Sequence, residues 1–302
     1  MEQVKITLET IDLTKKFGKT TALEGVCLQL HEGEIYGYIG PNGAGKTTTI
    51  RLLLGSLKPT AGCARIFGLD TWKDAAEIHR RIAYVPGELS LWPNMTGGEV
   101  IDLFLRLHGT PDCLRRDALL EEFALDPTKK CRAYSKGNRQ KISLVCAFAM
   151  NADLLLLDEP TSGLDPLMEQ VFLKLLAQEK QNGKTVLLSS HILSEVERVC
   201  DRIGILQNGR LVESGTLEEM RHLSRTAMTI ETQRPVEHPE MMEGVSDMVQ
   251  NGRRLAFSIE ESCLPAVLSC LAGYGITRIE NTPPTLEDVF MRHYRTVGGA
   301  QG

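Results

Sequence analysis

The run Gly40-Pro41-Asn42-Gly43-Ala44-Gly45-Lys46-Thr47 constrains the fold more than any other stretch of this 302-residue chain. It fits G-x-x-x-x-G-K-[ST], a loop whose glycines let consecutive backbone N–H groups turn inward around an anion. Such a loop works between a strand and a helix, because the helix N-terminus adds its positive end to the same anion. Both flanks are present. Ile35-Tyr36-Gly37-Tyr38-Ile39 reads as a short buried strand, and Thr47 to Leu54 as a helix stopped by Gly55, with Lys58-Pro59-Thr60 as a turn. In that frame Lys46 reaches the β- and γ-phosphates of a nucleotide, and the Thr47 hydroxyl can ligate Mg²⁺.

Further along, short apolar runs alternate with helical patterns. Leu154-Leu155-Leu156-Leu157-Asp158 and Thr185-Val186-Leu187-Leu188-Ser189-Ser190 read as parallel strands buried on both faces. Met168 to Glu179 between them reads as a helix, so the arrangement is a mostly parallel sheet with right-handed crossovers. Ile203–Leu206 and Arg210–Val212 flank Asn208-Gly209, a hairpin signal. Residues from about Glu88 to Lys130 read as helical, with Val100, Leu103, Phe104 and Leu107 at i, i+3, i+4 and i+7. Gly109-Thr110-Pro111 breaks that pattern and Leu114 to Phe123 resumes it.

The pattern changes near Met220 to Arg225. Beyond it, Ala227 to Thr232 reads as a strand and Val249 to Ser258 as a hairpin around Asn251-Gly252. Leu264 to Leu271 reads as a helix, Ile276 to Glu280 as a strand and Leu286 to Tyr294 as a helix. This is a small α+β unit after a larger α/β one.

An acid at the C-terminal end of a buried strand sits where parallel sheets place ligands. Asp158 is suited to hold Mg²⁺ through water, and Glu159 to activate an attacking water as general base. The eight cysteines form no C-x-x-C pair, which excludes zinc-ribbon and thioredoxin-type readings and points to thiols in a reducing compartment. The net charge of −5 gives no support to a nucleic-acid partner. Apolar runs fall far short of the ~18 residues a membrane span needs, so the expected location is cytoplasmic.

At Tyr134-Ser135-Lys136-Gly137-Asn138-Arg139-Gln140 the sequence resembles the Leu-Ser-Gly-Gly-Gln signature of the ABC ATPases. Ser162-Gly163-Leu164-Asp165 is similar to that family's D-loop and His191 to its switch histidine. Five motifs in the family's order span roughly residues 5–220. The rest resembles the small C-terminal domain of some bacterial exporter ATPases, ending in Pro-Pro-Thr-Leu-Glu-Asp-Val-Phe.

The resemblance implies a P-loop NTPase core of the ABC ATPase type: a mixed, mostly parallel sheet, an antiparallel β subdomain and a helical insert at about 88–150. Residues 1–222 would form that domain and 223–302 a small α+β accessory domain. Phe17 would stack on adenine, and residues 40–47 with Thr48 would hold ATP. Ser135, Lys136, Gly137 and Asn138 would reach a second copy's γ-phosphate, with Asp165 in the D-loop. Glu159, His191 and Lys46 would carry the hydrolysis, with Mg²⁺ on Thr47 and, through water, on Asp158. The implied protein is a nucleotide-binding subunit of an exporter, on the cytoplasmic face of the membrane. Its partners would be a permease on a separate chain and a second ATPase copy, in a homo- or heterodimer. Two rival readings stand beside this one: a soluble ABC ATPase acting on ribosomes or DNA, and a nucleotide sensor with little turnover.

Two departures bear on that picture. The family carries Gln in the loop after the strand Ile82–Val85, where this chain has Gly87. In the signature, Lys136 stands for Gly and Asn138 for Gln. The apolar cluster Leu89, Leu91, Trp92 and Pro93 reads as a docking surface; in the family this region receives a helix of the membrane subunit.

Overall fold

Apolar runs too short for helices and too continuous for one-sided strands define the centre of the molecule. In this computed structural model the described residues are 5–109, 112–222, 226–239, 242–259, 261–282, 286, 287 and 290. The chain divides into two units, Met1–Gly215 and Thr216–Gly302.

The first unit opens with β1 (Ile6–Phe17) and β2 (Thr20–His31), a long antiparallel hairpin. Its register shifts around Asp12, a non-glycine residue with φ 47°. β3 (Ile35–Ile39) follows, then α1 (Lys46–Leu53), β4 (Ala61–Ile66), β5 (Leu69–Asp70), the short α2 (Ala75–Ile78) and β6 (Ile82–Val85). Three helices come next: α3 (Gly97–His108), α4 (Cys113–Glu122) and α5 (Lys136–Ala149). The chain then alternates through β7 (Leu154–Asp158), α6 (Pro166–Gln181), β8 (Thr185–Ser190), α7 (Leu193–Val199), β9 (Arg202–Gln207) and β10 (Arg210–Thr216).

The strands form two sheets. One is antiparallel in the order β2-β1-β4-β5; the other runs β10-β9-β3-β8-β7-β6. β3, β7 and β8 are buried at every position, and β3 pairs in parallel with both β8 and β9. Strands buried on both faces need cover on both sides, which explains why their sequences show no alternation. The register aligns the strand ends: Ile39 lies opposite Ser190, and Asp158 opposite Ser189. The loops that begin at Gly40, Glu159 and His191 therefore leave the sheet at one edge. This is the crevice beyond the carboxyl ends of parallel strands, where such sheets bind ligands.

The helical segment differs from its sequence reading at both ends: α4 stops at Glu122, and residues 123–130 are not helical. Residues 86–96 are not helical, and α3 starts at Gly97. Pro86, Gly87 and Pro93 oppose helix there, and Thr96 starts α3 with a capping box. Its hydroxyl accepts the Glu99 N–H at 3.2 Å, while Glu99 accepts the Thr96 N–H at 2.7 Å. Gly109 ends α3 at φ 84°, whereas Thr110 and Pro111 lie outside the described residues. α5 is buried continuously from Gln140 to Ala149, as expected of a helix sandwiched between neighbours; it packs on α3, α4 and β6.

The second unit begins with α8 (Leu217–His222) and builds an antiparallel sheet from β11 (Thr226–Thr232), β12 (Val245–Asn251), β13 (Arg254–Ile259) and β14 (Ile276–Thr282), in the order β12-β13-β11-β14. Met228, Ile230, Leu255, Phe257 and Ile259 pack with Val267 and Leu271 of α9 (Leu264–Ala272). The β12–β13 loop is Gly252-Arg253, since Asn251 already pairs with Arg254. By contrast, Asn208 and Gly209 both take positive φ, 48° and 78°, between β9 and β10, as a type I′ turn requires. Of the helix expected over Leu286 to Tyr294, only residues 286, 287 and 290 are described; the rest lies outside.

Candidate functional site

The loop after β3 wraps a cleft of about 250 Å³ lined by Pro41, Asn42, Gly43, Gly45, Lys46, Thr47, Thr48, Glu159 and Ala22 of β2. Two of its glycines are demanded by packing. A Cβ at Gly40 would lie 2.5 Å from the Leu206 carbonyl oxygen. One at Gly45, which sits at φ 115°, would lie 2.7 Å from Leu23 Cδ2. Close approach of β2 and the β9 end thus fixes the loop, and Gly45 caps α1, whose first residues Lys46, Thr47 and Thr48 line the cleft. Ala44 is buried beneath it, and the Tyr38 hydroxyl meets Thr49 Oγ1 at 3.1 Å to anchor α1 on β3.

Lys46 is buried. Its Nζ donates to the Gly40 carbonyl at 2.6 Å and the Pro41 carbonyl at 3.2 Å, and lies 3.3 Å from Glu159 Oε1. Glu159 Oε2 is 3.4 Å from His191 Nδ1. Lys46, Glu159 and His191 come from three different strand ends, and the structure brings them together. Glu159 has φ 47°, a left-handed conformation costing a non-glycine residue about 1–2 kcal/mol. Its N–H donates to the Ser189 carbonyl at 3.0 Å, which holds it there.

Asp158 is buried at the end of β7, and Ser189 donates its hydroxyl to Asp158 Oδ1 at 2.7 Å. Ser189 carried no signal in the sequence beyond its place in an apolar strand. Gly87 lies directly against this acid: a Cβ there would sit 3.2 Å from the Asp158 carbonyl oxygen and 3.7 Å from its carboxyl carbon. A side chain at position 87 would project onto Asp158. Tyr84, on the same strand end, has its hydroxyl pushed up to about 12 by burial, with the Asp158 charge adding.

Phe17 ends β1 at the hairpin tip, 49% exposed and therefore not a core side chain, with Lys15 Nζ 5.1 Å from its ring centre. None of Ser135, Lys136, Gly137, Asn138 or Asp165 lines the cleft. Ser135 caps α5, accepting the Asn138 N–H at 3.2 Å. Lys136 donates to Ser162 Oγ at 3.0 Å, and a Cβ on Gly137 would meet the Gly163 carbonyl at 2.4 Å. Asp165 caps α6 through the Met168 N–H at 3.0 Å. The start of α5 and the loop before α6 therefore form a second, separate cluster. Gln140 reinforces it, donating to the Pro160 carbonyl at 3.1 Å from a buried position that the sequence reading passed over.

The donor set suits a hard cation bound with a nucleotide. Thr47 offers an exposed hydroxyl and Asp158 a carboxylate, both oxygen, which is the Mg²⁺ preference. Among the described residues no group of three or more His, Cys, Asp or Glu side chains is arranged to hold a metal by itself. Mg²⁺ with a nucleotide needs no such cage, because phosphates and water complete its shell.

Comparisons with known proteins agree with this geometry. Residues 23–162 match the family model described as ABC transporter, and residues 215–294 one described as ATP-binding protein DrrA1-3-like, C-terminal domain. The chain is 37% identical over 221 residues to the bacitracin transport ATP-binding protein BcrA of Bacillus licheniformis, covering 72% of each protein. It is 33% identical over 297 residues to the uncharacterized ABC transporter ATP-binding protein YhaQ of Bacillus subtilis (strain 168), covering 93% of this chain and 97% of that one. Among solved structures, one described as the ATP binding subunit of an ABC transporter superposes with TM-score 0.67 at 35% identity, covering 72% of this chain and 92% of that one. A dimeric post-hydrolysis state of the ATP-binding cassette MJ0796 bound to ADP and Pi gives TM-score 0.64 at 27% identity, covering 70% and 98%.

Proposed function

The chain belongs to the ABC transporter ATP-binding proteins, and from that premise we propose that it is the ATP-hydrolysing subunit of an exporter, working as a dimer beneath a separate membrane permease. The observation that carries the reading is the contact chain from Lys46 of the phosphate-binding loop to Glu159 and from Glu159 to His191. An anion cradle alone binds phosphate; a cradle with a carboxylate and an imidazole over it can also move a proton.

The loop N–H groups and Lys46 hold the β- and γ-phosphates. Phe17 offers its face to adenine. Mg²⁺, on Thr47 and through water on Asp158, would supply neutralisation of phosphate charge. Ser189 aims the Asp158 carboxylate. Water attacks the γ-phosphorus in line, the bond to the bridging oxygen of ADP breaks, and Glu159 takes the water's proton. His191 orients that water and the γ-phosphate. Ser135, Lys136, Gly137 and Asn138 of a second copy close the site, with donors at the start of α5 meeting the γ-phosphate.

Support for the partners is of a different kind. No helix among the described residues is long and apolar enough to cross a membrane; the proposed transport path is that of the permease. Leu89, Leu91 and the half-exposed Trp92, whose ring is 6.3 Å from that of Phe104, form an apolar surface beside Gly87 that suits a permease helix. Relatives named for bacitracin transport and for daunorubicin/doxorubicin resistance favour export of an amphiphilic compound. On this reading residues 1–222 are the ATPase domain, residues 223–302 an accessory domain, and the complex sits on the cytoplasmic face.

Glu159→Gln tests the core of this proposal. Binding of ATP should persist while turnover falls on the order of 10²-fold or more. Unchanged turnover would remove Glu159 as the base.

A further inference from the structure

One buried carboxyl is used by no step above. Glu195, in the first turn of α7, is 3% exposed. Its Oε2 accepts from Thr161 Oγ1 at 3.1 Å and from Ser190 Oγ at 3.3 Å, and both partners are buried too. Each partner sits beside a proposed catalytic group. Thr161 follows Glu159 by two residues, and its carbonyl accepts the Leu164 N–H at 3.0 Å to form the turn toward Asp165. Ser190 immediately precedes His191, and its Oγ also accepts the Ile192 N–H at 2.9 Å, bracketing the histidine.

We propose that Glu195 is a positioning residue for ATP hydrolysis: through Thr161 and Ser190 it locks the loop carrying Glu159 to the loop carrying His191. The inference rests on the reading of those two residues given above. It goes beyond that reading because Glu195 touches neither the cleft nor either catalytic side chain.

The lock works with a proton in it. Glu195 Oε1 is buried and finds no hydrogen-bond donor among the described residues, and the acid that acts on this carboxyl from α6 is Glu169. Two carboxyl groups bond only if one carries the proton. Burial pushes Glu195 up to about 8, Glu169 adds to the rise, and the Thr161 and Ser190 hydroxyls oppose it. The start of α7 also favours the charged form, so the proton is held against that bias. Glu169 is the charged group acting from α6; β8 and the loop after β7 contribute hydroxyls. β3 meets α7 at Gly37 against Val196 and Cys200, a thiol whose ionisation burial pushes up.

The pH dependence has a definite sign. A carboxyl with a higher pKa in the fold than in the unfolded chain takes up a proton on folding. Its contribution to stability is full below the unfolded value of 4.5 and is lost as pH rises to about 8. Above that, two facing carboxylates repel and the lock opens.

The test compares wild type, Glu195→Gln and Glu195→Ala for kcat and KM across a pH range bracketing 8, with nucleotide binding as the control for folding. Glu195→Ala should lose kcat by on the order of 10- to 100-fold with KM for ATP unchanged, as misplacement of catalytic groups does. Glu195→Gln, neutral at every pH and able to bond Glu169 and both hydroxyls, should match wild type near neutrality and keep its rate where wild type declines. If Glu195→Ala fails to fold, the isosteric Thr161→Val should still lower kcat about 10-fold without changing KM. Wild-type kcat in Glu195→Ala or Thr161→Val would overturn the lock; Glu195→Gln as slow as Glu195→Ala near neutrality would overturn the shared proton. An infrared carbonyl band of a protonated carboxyl, present in wild type and absent in Glu195→Gln, reads the proton without reference to catalysis. Glu159→Gln run alongside separates the cases, since only a failure of the base assignment restores turnover in that variant.

Discussion

Two clusters in the first unit carry the family's motifs, and they are built in opposite ways. Around the loop after β3, Lys46 and Glu159 line one cleft and pair with each other, and His191, from the end of β8, reaches Glu159. At the start of α5 the motif residues make no ion pair among the described residues. Ser135 caps its own helix, Lys136 reaches the neighbouring loop at Ser162, and Gly137 is pressed against Gly163. The first cluster pairs a buried cation with an acid beside an open cleft. The second is a set of donors and a positive helix end with nothing of its own to act on. The contrast fits the proposed dimer, in which each cluster would be completed by the other cluster of a second copy.

Mixing two variants tests the pairing of the clusters. Lys46→Ala removes the cation from the first cluster, and Ser135→Arg blocks the second. Each alone should lose turnover by on the order of 10²-fold or more, as loss of transition-state charge stabilisation does. Mixed, they should regain a substantial share, because one of the two sites in a mixed dimer pairs an intact loop with an intact α5 start. No regain on mixing would mean that both clusters act within one chain. A smaller effect separates binding from chemistry: Lys46→Ala should also weaken nucleotide binding by roughly 1.5–3 kcal/mol, the worth of hydrogen bonds to a charged group. Calorimetric titration with ATP measures it, and affinity equal to wild type would detach Lys46 from the phosphates.

The two clusters were also unequally legible in the sequence. The loop after β3 is local: its glycines, Lys46 and Thr47 are contiguous, and strand and helix periodicities flank them, so both fold and role could be read directly. The joining of Asp158, Glu159 and His191 depends on β7 and β8 being neighbours in register, which apolar runs suggest but do not number. The hydroxyls that hold those acids, Ser189 on Asp158 and Thr161 and Ser190 on Glu195, gave no signal. Serine and threonine near strand ends are common, and their partners lie 31 to 34 residues away or around a turn. The irregular stretch before α3 carries apolar residues that mimic half of an amphipathic helix, although its prolines oppose one.

The smallest expected effect isolates what is special about the α5 start. Ser135 and Thr96 do the same structural job: each begins a helix of the first unit by accepting a backbone N–H at 3.2 Å. Replacing either by alanine leaves that donor unpaired and should destabilise the unit by about 1 kcal/mol. At this size of domain that lowers the melting temperature by about 2–4 °C, measurable by calorimetry. The Thr96 cap belongs to α3 and lines no part of the cleft, so Thr96→Ala should hydrolyse ATP at the wild-type rate. Ser135→Ala should melt at nearly the same temperature yet turn over more slowly if, as proposed, its hydroxyl also serves the other copy's γ-phosphate. Equal rates at equal stability would reduce Ser135 to a helix cap and leave the backbone N–H groups of α5 to close the site alone.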